Sequence, residues 1–334
     1  MATTPAPLRE TALAGVSSPA PCVVWHAEAV ALRWSDGRTE PLPGSPSAAP
    51  VAAANGLWLA TRDSRLRRWR WRDAWRCDVD VALPEAAHAL TASPDGGHVL
   101  AAHGRQLRLL DGQGGTLRDY AGTDLARRRQ GRAPALLALP RRRSLLAAWP
   151  DLHEWWEISL DPAAPPIFDG LVHDHRMGEA IASPGHLGLR RIAFDGPAPL
   201  PVFSSPAWPW VAASAGDELQ VVHLDVRRIV ARLPAQGSAA AGSALHAGLW
   251  WLPVGGTLRG IDPRRWTVST ERPAPGPVMR LAVAGGVLHA LVDGTLWRDE
   301  PAGWQVVARG LSAVADAEGA MPLQAPPPWI GVAS

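Results

Sequence analysis

The densest group of ionisable side chains in the sequence lies in the run IFDGLVHDHRMGEAIA at residues 167–182. Its members are His173, Asp174, His175, Arg176 and Glu179. Residues two apart point the same way on a β-strand, so His173 and His175 would present two imidazoles on one face. Two imidazoles can ligate a transition metal, but this spacing alone is a weak signal and we assign no metal site to it. The alternative is a solvated loop, where charged side chains normally lie.

Two segments around this run carry a family resemblance. They are WEISLDPAAPPIFDGLVHDHRMGEAIASPGHLGLRRIAFD at residues 156–195 and QVVHLDVRRIVARLP at residues 220–234. Together they resemble the middle of the cytochrome d1 haem-domain family, which includes the d1 domain of cytochrome cd1 nitrite reductase and the haem d1 biosynthesis propeller NirF. The resemblance implies a β-propeller, eight-bladed in that family, that binds haem d1 or a precursor non-covalently in its central channel. It also implies a role in nitrite reduction, denitrification or haem d1 biosynthesis.

The resemblance suggests which residues would hold the cofactor. His88 precedes the turn glycine Gly96 by a spacing similar to that of the family's axial haem ligand. The alternative for His88 is a strand histidine bonded to a neighbouring carbonyl. In the central run we expect His173, His175 and Arg176 to bind the cofactor, with Arg176 holding an anionic group such as a propionate by charge-assisted hydrogen bonds.

One departure from the family pattern weakens the expectation of a haem. The run AQGSAAAGSAL at residues 235–245 keeps the Gly-Ser pair of the family motif, as Gly242 and Ser243, but carries alanine at the histidine position. His246 lies nearby, although the alignment does not require it. The alternative function is therefore a degenerate propeller that has lost its cofactor and acts as a scaffold for protein partners. A third possibility is an enzyme that no motif reveals.

A repeated unit surrounds these residues and must position them. It contains a short apolar run that follows Gly, Pro or a turn, found at residues 56–61, 97–102, 144–149, 209–214, 249–254 and 287–292. A second run follows each of them and closes on Asp near a turn in four of six cases, at residues 64–71, 105–112, 154–161, 218–225, 256–263 and 294–301. A period of about 40 residues with several strands per unit is typical of β-propeller blades such as WD40-like repeats.

The repeats predict one all-β domain over residues 22–334, preceded by a disordered lead at residues 1–21. Residues 22–43 contain three candidate strands and residues 311–334 contain one. If the two ends pair, they close the ring as a seventh blade. Eight blades is the alternative, with extra strands in an insertion at about residues 170–200.

Composition narrows the class of protein. The chain of 334 residues has no apolar run near the length of about 18 that spans a bilayer, so no membrane span is expected. Its formal net charge of +2 gives no reason to expect a nucleic-acid partner. Residues 1–20 lack the apolar core of a signal peptide, which leaves the choice between cytoplasm and periplasm open.

The two cysteines, Cys22 and Cys77, lack the C-x-x-C-H spacing of covalent c-type haem attachment. We expect two buried free thiols, with a disulfide as the alternative. The sequence shows no nucleophile elbow, zinc-protease motif or phosphate-binding P-loop. We expect a tetrapyrrole or another anionic ligand in the channel, or a protein partner.

Overall fold

The computed structural model describes residues 22–26, 29–33, 38–53, 56–71, 74–168, 183–205, 208–216, 218–234, 243–254, 256–284, 286–308 and 319–322. These residues form seven four-stranded antiparallel sheets. The described helical structure is limited to two 3-10 turns, Pro140–Arg142 and Pro150–Leu152. The all-β propeller predicted from the repeat is confirmed.

Six sheets are complete blades, each built from four strands that follow one another in the chain. Blade 1 contains β4 (Val51–Ala53), β5 (Gly56–Thr61), β6 (Arg65–Trp71) and β7 (Trp75–Ala82). Blade 2 contains β8 (Ala87–Ala92), β9 (His98–His103), β10 (Gln106–Asp111) and β11 (Thr116–Ala121). Blade 3 contains β12 (Ala135–Leu139), β13 (Ser144–Trp149), β14 (Glu154–Ser159) and β15 (Leu189–Ala193).

The other three complete blades follow the same order. Blade 4 contains β16 (Leu200–Ser204), β17 (Trp210–Ala215), β18 (Glu218–His223) and β19 (Arg228–Pro234). Blade 5 contains β20 (Ala244–His246), β21 (Leu249–Val254), β22 (Thr257–Asp262) and β23 (Thr267–Pro273). Blade 6 contains β24 (Val278–Ala284), β25 (Val287–Val292), β26 (Thr295–Glu300) and β27 (Gly303–Ala308).

The seventh sheet, which we call the end sheet, combines the two ends of the chain. It contains β1 (Cys22–His26), β2 (Ala29–Arg33), β3 (Thr39–Leu42) and β28 (Gly319–Pro322). β28 pairs antiparallel with β1, and Cys22 lies opposite Pro322. The end sheet is thus assembled from strands far apart in the chain rather than from one repeat.

The number of complete blades differs from the sequence prediction of seven, with eight as the alternative. Each end of the chain supplies only part of a sheet, so the structure contains six complete blades. The described part of the region that the eight-blade alternative assigned to extra strands, residues 183–200, contains β15, the link into blade 4 and the first residue of β16. The described residues therefore form no eighth sheet.

Apolar packing between blades explains the uninterrupted apolar runs of the sequence. The second strand of each blade is covered on both faces by neighbouring blades, and every residue of β13 is buried. Leu145 and Ala147 of blade 3 share a core cluster with Leu107 and Leu109 of blade 2. A strand buried on both faces is apolar throughout rather than alternating, as the sequence shows.

The first strands of neighbouring blades contact one another and lie around the propeller axis; β8, for example, contacts both β4 and β12. Because blades repeat around one axis, their first strands run in the same direction. We call the face at which these strands begin the top face and the face at which they end the bottom face. The turn before β12 is thus on the top face, and the turn Pro140–Arg142 that follows β12 is on the bottom face.

The structure also bears on the sequence expectations for membrane-spanning segments and for the cysteines. In the described part of the chain, no helix has the length and apolar character needed to cross a bilayer. Cys77 is a free thiol and is exposed on β7, so the expectation that it is buried is wrong. The predicted disordered lead at residues 1–21 lies outside the described residues.

Candidate functional site

The charged central run lies between two described residues that are bonded to each other. Ile167 and Ser183 exchange backbone hydrogen bonds of 2.9 and 2.8 Å. This bridge belongs to the connection between β14 and β15 on the bottom face of blade 3. The predicted site residues His173, His175 and Arg176 lie outside the described residues, so their roles remain predictions.

His88 lies near the start of β8 and therefore toward the top face. Its Nε2 atom is 3.1 Å from the carbonyl oxygen of Ala133, in the link that leads into β12. A carbonyl oxygen only accepts hydrogen bonds, so Nε2 carries the proton and Nδ1 carries the lone pair. Nδ1 is buried and has no hydrogen-bond partner among the described residues. The bond to a neighbouring carbonyl matches the alternative given for this histidine.

The surroundings of His88 favour its neutral form. Burial lowers the pKa of His88 below its ordinary value of 6.5, and the positive charge of Arg132 lowers it further. The bond to the Ala133 carbonyl acts in the opposite direction and does not reverse the shift. At neutral pH the side chain is therefore an uncharged imidazole, the form that ligates metals.

A recess of about 410 Å³ opens beside this imidazole on the top face, between blades 2 and 3. It is lined by His88, Arg132, Pro134, Pro150 and Asp151. The backbone N–H of Arg132 donates to Asp151 Oδ2 at 3.3 Å, which fixes the turn before β12. The recess thus combines one neutral imidazole, one guanidinium and one carboxylate with two rigid proline rings.

A second histidine lies in the same region. His103 ends β9 and pairs in register with Ala87, the residue before His88. Burial lowers the pKa of His103, the charge of Arg108 adds to this effect, and its buried Nε2 has no partner among the described residues. Even so, the described residues include no group of three or more His, Cys, Asp or Glu that could hold a metal ion.

The structure does not bring His246 to this recess. His88 lies near the start of its inner strand, whereas His246 is the last residue of β20. Because the inner strands run in the same direction, the two histidines lie toward opposite faces. His246 therefore does not line the recess beside His88.

Sequence reasoning named His88 as a candidate ligand but did not name the residues that surround it. Arg132 and Asp151 follow no motif, and each lies in a turn of the neighbouring blade. What could have identified them is their position in a blade. Arg132 precedes the first strand of blade 3, and Asp151 lies in the turn between its second and third strands. Those turns meet on one face only once the blade order is known.

Comparison with known proteins gives structural likeness without sequence matches. No family model and no curated protein matches the sequence. Among solved structures, the chain is similar to dihydro-heme d1 dehydrogenase NirN in complex with DHE, with a TM-score of 0.62 at 18% identity over 88% of this chain. The match covers 65% of NirN, which is less than two thirds of that chain.

A chain of the mitotic checkpoint complex is also similar, with a TM-score of 0.56 at 10% identity, over 91% of this chain and 85% of the other. Identities this low show the propeller fold alone.

Proposed function

We propose that this chain is a ligand-binding propeller that takes haem d1 or a d1 precursor at the top-face recess. The observation that carries the proposal is the neutral imidazole of His88, with an unpartnered Nδ1, on an inner strand beside Arg132. The likeness to NirN, a protein described as a dihydro-heme d1 dehydrogenase, supports the same class of ligand.

The described residues fit one side of such a cofactor. His88 would hold the iron, and Arg132 would bind a carboxylate through charge-assisted hydrogen bonds. Nδ1 is covered by its neighbours, so the imidazole must move before it can bind the iron. This movement breaks the hydrogen bond from Nε2 to the Ala133 carbonyl, which costs about 0.5–1.5 kcal/mol. A bound haem iron would supply electron transfer or ligand activation, and we propose that the protein acts in nitrite reduction, denitrification or haem d1 biosynthesis.

We also propose that the end sheet closes the ring of blades around the propeller axis. Val23 and Leu32 of the end sheet share a core cluster with Leu57 and Leu59 of blade 1. On its other side, β28 contacts β24 of blade 6. The end sheet therefore has neighbours on both sides, as a blade of a closed ring has.

Titration of the protein with haem d1, followed by visible absorption and calorimetry, tests the cofactor. We expect saturable binding with a shifted spectrum that His88→Ala abolishes, since the iron loses its protein ligand. His246→Ala is the matched control, because it removes an inner-strand histidine toward the other face and should leave the spectrum unchanged. Arg132→Ala should weaken binding by about tenfold or more, the loss of one charge-assisted hydrogen bond.

The same titration extends to the central run, with Arg176→Ala predicted to weaken binding by roughly 10- to 150-fold if Arg176 holds a carboxylate. If the unaltered protein does not bind haem d1, the cofactor hypothesis is rejected. The alternative function, a scaffold for protein partners, then remains. A spectrum equally altered in the His88 and His246 variants would reject His88 as the ligand.

A further inference from the structure

A second recess lies on the bottom face, between blades 3 and 4, and neither His88 nor Arg132 lines it. Its volume is about 370 Å³. The turn Pro140–Arg142, the connection that follows β14, and two turns of blade 4 line it. It lies at the opposite end of the blade 3 strands from His88.

Arg142 joins the two blades at the wall of this recess. Its Nε and Nη2 atoms donate to the two carboxylate oxygens of Glu157, at 2.6 and 3.2 Å, and its Nη1 donates to Asp225 of blade 4. The Glu157 side chain is 7% exposed and also accepts a bond of 2.8 Å from Ser144 Oγ. The charges of these three ionised groups are thus engaged with one another, and the bridge holds the recess in shape.

Two other guanidinium groups at the recess are not engaged in this way. Arg141 is exposed and has neither an ion pair nor a hydrogen bond to any described residue. Arg190 forms only a long ion pair with Glu157, at 3.9 Å, and makes no hydrogen bond to it. The remaining carboxylate of the wall, Asp161, is paired with Arg143 at 3.2 Å. Four arginines and three carboxylates therefore lie at the recess, which leaves one net positive charge and the N–H donors of Arg141 and Arg190 for an anion.

The side of the recess formed by the β14–β15 connection is apolar. It presents Ala164, Pro165 and Ile167, and the backbone bridge to Ser183 fixes Ile167. Gly185 closes this wall, since a Cβ atom there would lie 2.2 Å from the carbonyl oxygen of Pro165. A ligand with an apolar body can lie against these residues, whereas a bare inorganic anion would leave them without a partner.

We infer that this bottom-face recess is a second binding site, for a small organic acid. Its carboxylate would accept hydrogen bonds from Arg141 and Arg190, and its carbon chain would pack on Ala164, Pro165 and Ile167. Sites for small molecules are mostly apolar clefts of about 300–1,000 Å³ with a few well-placed polar groups, and this recess falls within that range.

Calorimetric titration with hexanoate, in the absence of any tetrapyrrole, tests the inference. Hexanoate should bind, and Arg141→Ala and Arg190→Ala should each lower its affinity about tenfold or more, because each removes a charge-assisted hydrogen bond. Arg76→Ala is the matched control, since Arg76 is exposed on blade 1, far from the recess, and this variant should bind like the unaltered protein. Thermal melting of all three variants checks that they fold.

Two comparison ligands separate the parts of the inference. Hexylammonium should not bind, because it has the apolar body with the wrong charge, and inorganic phosphate should bind more weakly than hexanoate. No binding of hexanoate at millimolar concentration, or equal affinities in the folded arginine variants, would overturn the inference. If phosphate binds as tightly as hexanoate or more tightly, the ligand of this recess is not an organic acid. None of these results depends on haem d1, so they leave the proposed function to its own test.

Discussion

Arg68 shows how single arginines join the blades of this propeller. Its side chain is 2% exposed and makes two bonds to the carboxylate of Asp78, of 2.8 and 3.0 Å. It also donates to the carbonyl oxygen of Gly112 in blade 2 and lies 5.4 Å from the centre of the Trp58 ring. One side chain therefore donates hydrogen bonds both to a carboxylate of its own blade and to a turn carbonyl of the next blade.

We expect Arg68→Ala to lower the free energy of unfolding by about 3 kcal/mol, at the lower end of the range for breaking a buried ion pair. The lower end applies because Asp78 keeps Arg70 at 3.3 Å. Urea unfolding measures the change. Arg259→Ala is the control, because Arg259 pairs with the half-exposed Glu271 and should cost less than about 1 kcal/mol. Equal losses in the two variants would contradict a bridging role for Arg68.

The contacts and burial of single residues were the features that the sequence predicted least well. His88 was proposed as a candidate from its spacing to a glycine, but its hydrogen-bond partner Ala133 lies 45 residues along the chain. The tautomer of the ring and the charge of Arg132 beside it both follow from that long-range contact. Cys77 was expected to be buried, yet it lies on the outer strand of a blade, where one face is open to solvent.

Single strands were predicted best where both of their faces are covered by other blades. The predicted runs at residues 56–61 and 144–149 coincide with β5 and β13. Short first strands such as β20, with three residues, carry no comparable apolar run and were not found. The eight-blade alternative placed extra strands between residues 170 and 200, but β15 is the one complete strand in the described part of that interval.

β28 gives a direct test of how the two ends of the chain cooperate. Deleting residues 310–334 removes β28 and leaves the β1 edge, with Cys22 to Trp25 that paired with it, open to solvent. An exposed edge strand has unpaired N–H and C=O groups that can pair with other chains. The truncated protein should therefore melt at a lower temperature and aggregate. Differential scanning calorimetry and light scattering measure both effects.

Deleting only residues 323–334 is the matched control for this truncation. It shortens the chain but keeps Gly319–Pro322, so melting should stay close to that of the full chain. If the longer deletion melts no lower than the shorter one, pairing between β28 and β1 does not stabilise the propeller, and the proposed closure of the ring by the end sheet fails with it.

Over the whole molecule, the period of about 40 residues predicted the propeller because each blade must bury its faces against its neighbours. The period did not predict which turns share a face. The top-face recess joins turns from residues 132–134 and 150–151, and the bottom-face recess joins turns from residues 141–142, 209 and 225. Both candidate sites therefore depend on blade order, which the repeat alone leaves undefined.

The stability of the whole propeller should depend on pH in a window set by its buried histidines. Burial is the largest cause that lowers the pKa of His88, His98, His103 and His289 below the ordinary value of 6.5. Below that value the unfolded chain binds protons that the folded chain does not, so the free energy of unfolding falls as pH falls through the window. The aspartates with lowered pKa, such as Asp95 and Asp119, act at lower pH, since their contribution is lost only below about 3.8.

We therefore expect the urea midpoint of unfolding to decrease steadily between about pH 7 and pH 5, before the carboxylates begin to titrate. His103→Gln should flatten this dependence, because it removes one buried imidazole that resists protonation and leaves the neighbouring blade contacts in place. His103 suits the test because it lies outside the lining of both recesses. A midpoint independent of pH over this interval, or a slope unchanged in His103→Gln, would show that the buried imidazoles do not control the acid stability of the propeller.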